Sequence, residues 1–302
     1  MILFSVIIPH YNSVRTLERL IASIPADDSI QLIVVDDKST EKTSEVENTV
    51  KQHGGIFLHN TTSVKGAGTC RNLGLEQAVG KWLIFADADD YFLDGAFNIL
   101  KKYSDAKEDI IYFSPVSRYS DRAESARRHI PFEKLVHNYA EAPSGDNEML
   151  LRYKFMVPWS KMIRNQMVKE NHIAFDEVPA SNDVMFSMKT AYHAQEILAS
   201  IEQVYCVTCA DSTLTTKRSE TNYWARLEVF INRYHYMKAR LDTKKYGFVI
   251  PSGILFIVEA AKQGYRPAFL CKIYVYMKKH RIPMFPYSKI RHFFNHQLLS
   301  RS

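Results

Sequence analysis

The chain has 302 residues, 46% of them hydrophobic and 24% charged, with a formal net charge of +6. That length holds one large domain, or a domain with an appendage, and the balance excludes a disordered or fibrous chain. The charge is uneven: residues 260–302 carry nine Lys and Arg and no Asp or Glu, so the basic character belongs to the C-terminal segment and the body is slightly acidic.

Residues 3–8 form a β-rich apolar run stopped by Pro9, and Asn12 and Ser13 supply N-cap chemistry for a helix through Leu17, Leu20 and Ile21. Residues 31–35 read as a second buried strand ending in Asp36-Asp37, and Ser39-Thr40 can cap a helix over 41–52. Gly54-Gly55 ends that helix before a short strand at 56–59. Gly66 and Gly68 precede a helix over 69–79, which Gly80 closes. Residues 82–86 then form a buried strand that runs into Asp87, Asp89 and Asp90. Asp94 and Gly95 open a helix to residue 103, and 109–113 is a further strand. The alternation predicts an α/β fold, with a mostly parallel sheet and helices on both faces.

Polar groups recur where successive strands end: Tyr11 and Asn12, Asp36 and Asp37, Asp87 and Asp89. In an open parallel sheet such groups converge, and ligands bind there. Asp87 and Asp89 are two apart and point the same way on an extended backbone. Two hard oxygen donors suit Mg²⁺ or Mn²⁺ holding waters and phosphate oxygens. An acidic turn is the bland alternative. No G-x-G-x-x-G follows the first strand and no G-x-x-x-x-G-K-[ST] occurs. A dinucleotide site is disfavoured and a P-loop excluded.

Of the four cysteines, Cys70, Cys206, Cys209 and Cys271, only Cys206 and Cys209 have C-x-x-C spacing. No second such pair exists to complete a zinc site, so reduced thiols are expected. The first residues lack a basic n-region, which argues against a signal peptide. The apolar window 248–261 contains Pro251, Gly253 and Glu259 and is too interrupted to span a bilayer.

Four blocks carry a resemblance. Ser5-Val6-Ile7-Ile8-Pro9-His10-Tyr11-Asn12 resembles the opening strand of the family 2 glycosyltransferases with the GT-A fold. Ile33 to Thr40 resembles their second strand and its DDxS end. Gly66-Ala67-Gly68-Thr69-Cys70-Arg71-Asn72-Leu73-Gly74 resembles their GxxxARNxG segment, with Thr69-Cys70 a departure, and Asp87-Ala88-Asp89-Asp90 their DxD motif. The resemblance is clear over residues 3–115 and fainter to about 220.

It implies an inverting, metal-dependent enzyme with a nucleotide-sugar donor, usually UDP-linked. Tyr11 would then stack on the base and Asp36 hydrogen-bond the uracil ring. Arg71 would lie near base or phosphates, and Asp87 would contact ribose or sugar. Asp89 would bind Mn²⁺ or Mg²⁺; Pro9, Lys65 and Ala88 complete the donor set. A diphosphate leaving group develops charge that such a metal stabilises. Val157-Pro158-Trp159-Ser160-Lys161 resembles the family's WxK strand, and Phe175-Asp176-Glu177 its FDE. Asp183 matches the catalytic base of its Glu-Asp-x-x-F segment, with Asn182 in place of the Glu. Inversion needs such a carboxylate to deprotonate the acceptor hydroxyl; capping of the next helix is the competing role for Asp183. Trp159 is a candidate sugar platform or a core residue, and Lys217 and Arg218 candidates for the diphosphate or a solvated turn.

Residues 115–150, with Arg118, Arg122, Arg127 and Arg128, read as a mobile surface loop or insertion. From Asn222 the pattern turns helical. The expected division is a catalytic domain over 1–218 and a helical, basic region over 219–302. Aromatic and basic residues interleave there, which suits an anionic membrane surface; a helical cover or a homodimer contact is the alternative. No nucleic-acid-binding motif occurs. The reading is a cytoplasmic enzyme, peripheral at the inner face of the cell membrane, that acts on a carbohydrate or lipid-linked acceptor in bacterial surface polysaccharide synthesis. A non-catalytic nucleotide-binding module that tethers partners or membrane is the second reading.

Overall fold

The computed structural model describes residues 1–122, 124–209 and 219–285. The chain forms two compact units, Met1–Thr216 and Lys217–Ser302. The first contains β1 (Phe4–His10), α1 (Val14–Ala22), β2 (Ile30–Asp36), α2 (Thr43–Gln52), β3 (Ile56–His59), α3 (Ala67–Gln77) and β4 (Trp82–Phe85). It continues with β5 (Tyr91–Phe92), α4 (Ala96–Lys102), β6 (Ile110–Tyr119), α5 (Ile130–Glu141) and α6 (Gly145–Lys154). It closes with β7 (Lys161–Arg164), α7 (Asn165–Glu170), α8 (Val184–His193) and β8 (Ile197–Cys209).

One eight-stranded sheet has the order β3-β2-β1-β4-β7-β6-β8-β5. The β3-β2-β1-β4 half is parallel, with Phe4 opposite both Ile30 and Trp82, and His10 opposite Asp36. Its strands are apolar on both faces because helices cover both sides: Val6, Ile7, Ile8, Ile33, Val34, Val35, Leu83 and Ile84 are all buried. The parallel register brings the ends of β1, β2 and β4 to one edge, as the sequence leads one to expect. Strand β7 breaks the pattern, running antiparallel to β4 and β6, and β5 pairs antiparallel with β8.

Two glycines of α3 are fixed by contact. A Cβ on Gly74 would stand 2.5 Å from Ile7 Cγ2, and one on Gly68 would stand 2.2 Å from the Asp176 carbonyl oxygen. The helix therefore lies close to β1 on one side and to the 175–183 segment on the other.

The structure corrects the expected loop at 115–150. Strand β6 runs on to Tyr119, and helices α5 and α6 occupy most of the remainder. Val136, Leu151 and Phe155 form the buried side of this region, with Phe132 and Phe155 packed on Trp159. The polar composition that suggested a loop is the solvent face of these helices. The buried guanidinium of Arg152 donates to the Ala191 and Ala194 carbonyls at 2.7 and 2.8 Å, ending α8 with a cation.

The second unit contains α9 (Glu220–Arg240), α10 (Thr243–Tyr246), α11 (Ile254–Lys262) and α12 (Pro267–Lys279). Ser219 caps α9 by accepting from the Asn222 amide at 3.2 Å. Tyr223 packs on Phe256, Tyr265 and Phe269, and its hydroxyl donates to the Phe256 carbonyl at 2.5 Å. No helix among the described residues is long and apolar enough to cross a membrane.

Candidate donor-binding and catalytic site

At the end of β1 the chain turns through Asn12, a left-handed residue with φ 49°. The Asn12 amide donates to Ser39 Oγ at 2.9 Å, and its side-chain oxygen accepts from the Thr40 amide at 2.9 Å. The loops after β1 and β2 are thus tied together. Beneath them, His10 Nδ1 and Asp36 Oδ1 lie 3.0 Å apart, both buried. The Ser13 amide donates to His10 Nε2 at 3.2 Å, so His10 is the neutral Nδ1–H tautomer that donates to Asp36. The other Asp36 oxygen accepts from the Ser39 amide at 3.0 Å. Burial alone would raise the Asp36 pKa; the Ser39 and His10 hydrogen bonds outweigh it and hold the group below its usual value.

Arg71, buried on α3, is the link between remote segments. Its Nη2 donates to Asp87 Oδ1 at 2.5 Å and its Nη1 to Asn182 Oδ1 at 2.7 Å, while its Nε has no partner among the described residues. Asn72 secures the same junction, since its side chain bonds both the amide and the carbonyl of Phe175, at 2.8 and 3.1 Å. Phe175 stacks on Phe186 with ring centroids 3.9 Å apart.

The acidic turn after β4 is held from behind by β8. Tyr205 Oη donates to Asp90 Oδ2 at 2.8 Å and accepts from the Asp87 amide at 2.9 Å. The Thr208 amide donates to Asp90 Oδ1 at 2.7 Å. From α1, Arg19 Nη2 donates to the Asp89 carbonyl at 2.5 Å and to Thr208 Oγ1 at 3.0 Å. Burial, then the neighbouring Asp87 charge, raises the Asp89 pKa. Burial, with Asp87 and Asp89, raises that of Asp90 further.

These groups surround a cavity of about 440 Å³ lined by Pro9, Tyr11, Arg71, Asp87, Ala88, Asp89, Asn182 and Asp183, with His10, Ser13, Asp37 and Ala67. Eight residues expected at the site from sequence therefore meet around one space. Asp183 follows the left-handed Ser181 and makes no side-chain cap bond to α8. Burial, opposed by Arg71 and reinforced by Asp87, raises its pKa. Lys65, from the loop before α3, places its ammonium 3.6 Å from the centre of the Tyr11 ring, which is 47% exposed.

Other expected residues lie elsewhere. Asp36 is behind the cavity wall with both oxygens engaged, and its neighbour Asp37 lines the space. Trp159 is no platform: it is 1% exposed and stacks on Tyr205 in the core. Lys217 and Arg218 lie outside the described residues. Reasoning from sequence missed His10, Ser13 and Ala67, and placed Asp37 only among the polar groups at the strand ends. All four adjoin motif residues, and the parallel register that brings His10 beside Asp36 was the available signal.

The model of the family "Glycosyl transferase family 2" matches residues 5–171. The chain belongs to glycosyl transferase family 2. It is 24% identical over 211 residues to the poly(ribitol-phosphate) beta-N-acetylglucosaminyltransferase TarS of Staphylococcus aureus, covering 68% of this chain and 35% of TarS. It is 26% identical over 208 residues to the poly(ribitol-phosphate) beta-glucosyltransferase of Bacillus spizizenii, covering 67% of this chain and 31% of that relative. The matches thus span about a third of these relatives. The crystal structure of S. aureus TarS 1-349 in complex with UDP-GlcNAc matches with a TM-score of 0.63 at 21% identity, over 82% of this chain and 70% of that one. The first unit has the GT-A fold of this family, with its mostly parallel sheet and flanking helices.

Asp87 and Asp89 are acidic donors on one wall of the cavity, and burial beside Asp87 makes the charged form of Asp89 costly. A divalent cation would relieve that cost. No cluster of three or more His, Cys, Asp or Glu suited to a metal occurs among the described residues. The donor set fits a cation that draws its remaining ligands from water and phosphate.

Proposed function

We propose that the chain is an inverting glycosyltransferase that moves a sugar from a UDP-linked donor to a saccharide or lipid-linked acceptor. The observation that carries this reading is Asp183 sharing one cavity with Asp87 and Asp89, with Arg71 bonded to one rim and electrostatically coupled to the other. The relatives' names support the setting of surface-polymer glycosylation.

In this reading Tyr11 receives the base, with Lys65 moving off its ring. Asp37 and the His10-bearing wall border the nucleoside. Asp87 and Arg71 face ribose and diphosphate. Asp89 would hold Mn²⁺ or Mg²⁺, which would supply Lewis-acid stabilisation of negative charge on a diphosphate. Asp183 removes the proton from the acceptor hydroxyl as its oxygen bonds to the anomeric carbon. The bond to the diphosphate oxygen breaks on the opposite face, and the nucleoside diphosphate leaves with the electron pair. A raised pKa makes Asp183 a better proton acceptor than an ordinary carboxylate, provided it is ionised first.

The test is a calorimetric panel of UDP, GDP, CMP and dTDP with and without Mn²⁺. Metal-dependent UDP binding that is lost in Asp89→Ala supports the reading. Absence of binding by every nucleotide favours the tethering module instead.

We place the second unit against an anionic membrane on its surface chemistry. Leu255 and Val258 on α11, Tyr274 and Val275 on α12, and Phe285 are exposed. Lys272, Lys278 and Lys279 are exposed on α12 as well. Apolar and basic groups together suit a headgroup layer.

A further inference from the structure

In the second unit, α11, α12 and the chain just after them enclose a cavity of about 480 Å³. Ile254 and Ile257 line it from one face of α11, and Tyr274 and Lys278 from one face of α12. Residues 282–285 supply the remaining wall. Backbone bonds fix that wall. The Gly253 and Ile254 amides open α11, where the helix itself offers no acceptor, and donate to the Pro283 and Met284 carbonyls at 2.8 and 3.0 Å. Gly253 permits the approach, because a Cβ there would stand 2.7 Å from both Met277 Sδ and Met284 Cε. The Ile282 amide donates to the Met277 carbonyl at 2.9 Å and ties the wall to α12.

Among the described residues the lining is apolar but for Lys278 and the Tyr274 hydroxyl. Phe285 and Tyr274 are 62% and 43% exposed, while Ile282 is buried, so the lining runs from a wet rim to a dry floor. Lys278 makes no ion pair among the described residues, and its Nζ lies 5.8 Å from the centre of the Tyr274 ring. Residues 260–302 contain no Asp or Glu. Glu259, just before them, is taken by Arg226 at 3.5 Å and by Gln263 at 3.0 Å.

A framed apolar hollow that opens to water marks a contact, not a fold requirement. Its occupant needs an apolar body and an anionic end. A second copy of this chain meets the first need and fails the second. A two-fold contact sets one patch against itself and gathers the lysines of both copies with no carboxylate to pair them. Residues 286–302 fail in the same way, since they bring Lys289, Arg291 and Arg301. We propose that the cavity takes one acyl chain of an anionic phospholipid, with the lipid phosphate on Lys278. The proposal rests on the membrane reading of the second unit. It adds a seat for a single lipid to the adsorption of a basic surface.

The full chain would be titrated with dihexanoyl phosphatidylglycerol below its micelle threshold, which presents single lipids and no surface. Dihexanoyl phosphatidylcholine tests the net charge of the head, and glycerol phosphate tests the head without a chain. The variants are Ile257→Trp, which fills the cavity, Lys278→Gln, which removes its charge, and Lys262→Gln, a charge control on α11 outside the lining. Circular dichroism reports whether each keeps its helices. Ile257→Trp should lose about tenfold or more in affinity for both lipids. Lys278→Gln should lose about fivefold for phosphatidylglycerol and so forfeit the preference for the anionic head. Lys262→Gln should bind as the wild type does, and glycerol phosphate should bind far more weakly than the lipid. Unchanged lipid binding in folded Ile257→Trp overturns the proposal, and so does an equal loss in the two Lys→Gln variants. Should Ile257→Trp lose its helices, Lys278→Gln still decides, and an undiminished preference for phosphatidylglycerol overturns the proposal. Lipid binding that appears only when residues 286–302 are removed assigns the cavity to the chain's own end; self-association that Ile257→Trp abolishes assigns it to a second copy. Either overturns the proposal. Anionic vesicles that sediment a wild type unable to bind single lipids overturn the cavity's role and leave the membrane reading standing. Failure to bind either form of lipid overturns both.

Discussion

Tyr205 and Asp90 form a buried pair: the phenol donates to Asp90 Oδ2 at 2.8 Å and its oxygen accepts from the Asp87 amide at 2.9 Å. One hydroxyl therefore sets the backbone of the acidic motif from behind, while Asp87 and Asp89 face the cavity. Tyr205→Phe leaves a buried carboxylate oxygen and an amide without that partner, a loss of about 1–3 kcal/mol of stability. If the pair also positions the motif, UDP–Mn²⁺ affinity should fall in protein that denaturant titration shows to be folded. Wild-type affinity in the folded variant would reduce Tyr205 to a packing role.

Asp183 gives a second expectation, from pH. Burial raises its pKa, so the ionised base appears at higher pH than across the ordinary carboxylate range. Transfer should climb with pH through a limb displaced upward from that range. Asp183→Asn should cost about 10²–10⁴ in turnover, the usual scale of general-base catalysis, and remove the limb, with donor binding retained. An unchanged rate would reject the base assignment.

Asn182 offers the converse. It presents a neutral amide oxygen to Arg71 at 2.7 Å, where the family pattern has Glu. Asn182→Glu would add a negative charge beside Asp183 and compete with Asp87 for Arg71. Like charge disfavours ionisation, so the acid limb of the rate profile should move further up in pH. A limb that stays in place, or moves down, would show that residue 182 is electrostatically remote from the base.

Much of this cavity was readable in sequence because its residues sit at the ends of strands, where parallel order forces convergence. Period and turn chemistry therefore located Tyr11, Asp87 and Asp89 without coordinates. What sequence could not supply was depth. Asp36 and Asp37 are adjacent and chemically identical, yet one bonds inward to His10 and the other lines the cavity. Trp159 looked equally suited to a sugar or a core, and Tyr205, on the last strand in chain order, settles it by stacking on the ring. Likewise α5 and α6 resembled a loop because their polar faces dominate the composition, and their few core residues gain meaning only against Trp159.

The membrane reading of the second unit predicts that anionic liposomes sediment the full chain. Replacing exposed apolar residues of α11 and α12 by Leu255→Asp/Val275→Asp should release it at moderate salt, since the variant loses apolar insertion and gains repulsion. UDP binding serves as the folding control. Equal sedimentation of variant and wild type would remove these helices from the contact.

Lys161 supplies the last prediction. The side chain is buried, with Nζ donating to the Phe155 carbonyl at 2.7 Å and lying 4.9 and 4.7 Å from the centres of the Tyr112 and Phe155 rings. Burial lowers its pKa to about 7, against a smaller opposing effect of Asp183. In the unfolded chain the lysine keeps its ordinary value of 10.5. Between these two values the unfolded chain binds more protons than the folded one, so folding stability contributed by this group rises with pH across that window, by about 1.4 kcal/mol per unit at most. Below about 7 the group is protonated in both states, and its burial penalty is then constant and at its largest. Lys161→Met should therefore flatten the stability profile between neutral and mildly alkaline pH, and denaturant titrations from about pH 6 to about 9 measure it. A wild-type profile as flat as that of the variant would mean that Lys161 keeps its proton throughout, held by the carbonyl and the ring faces.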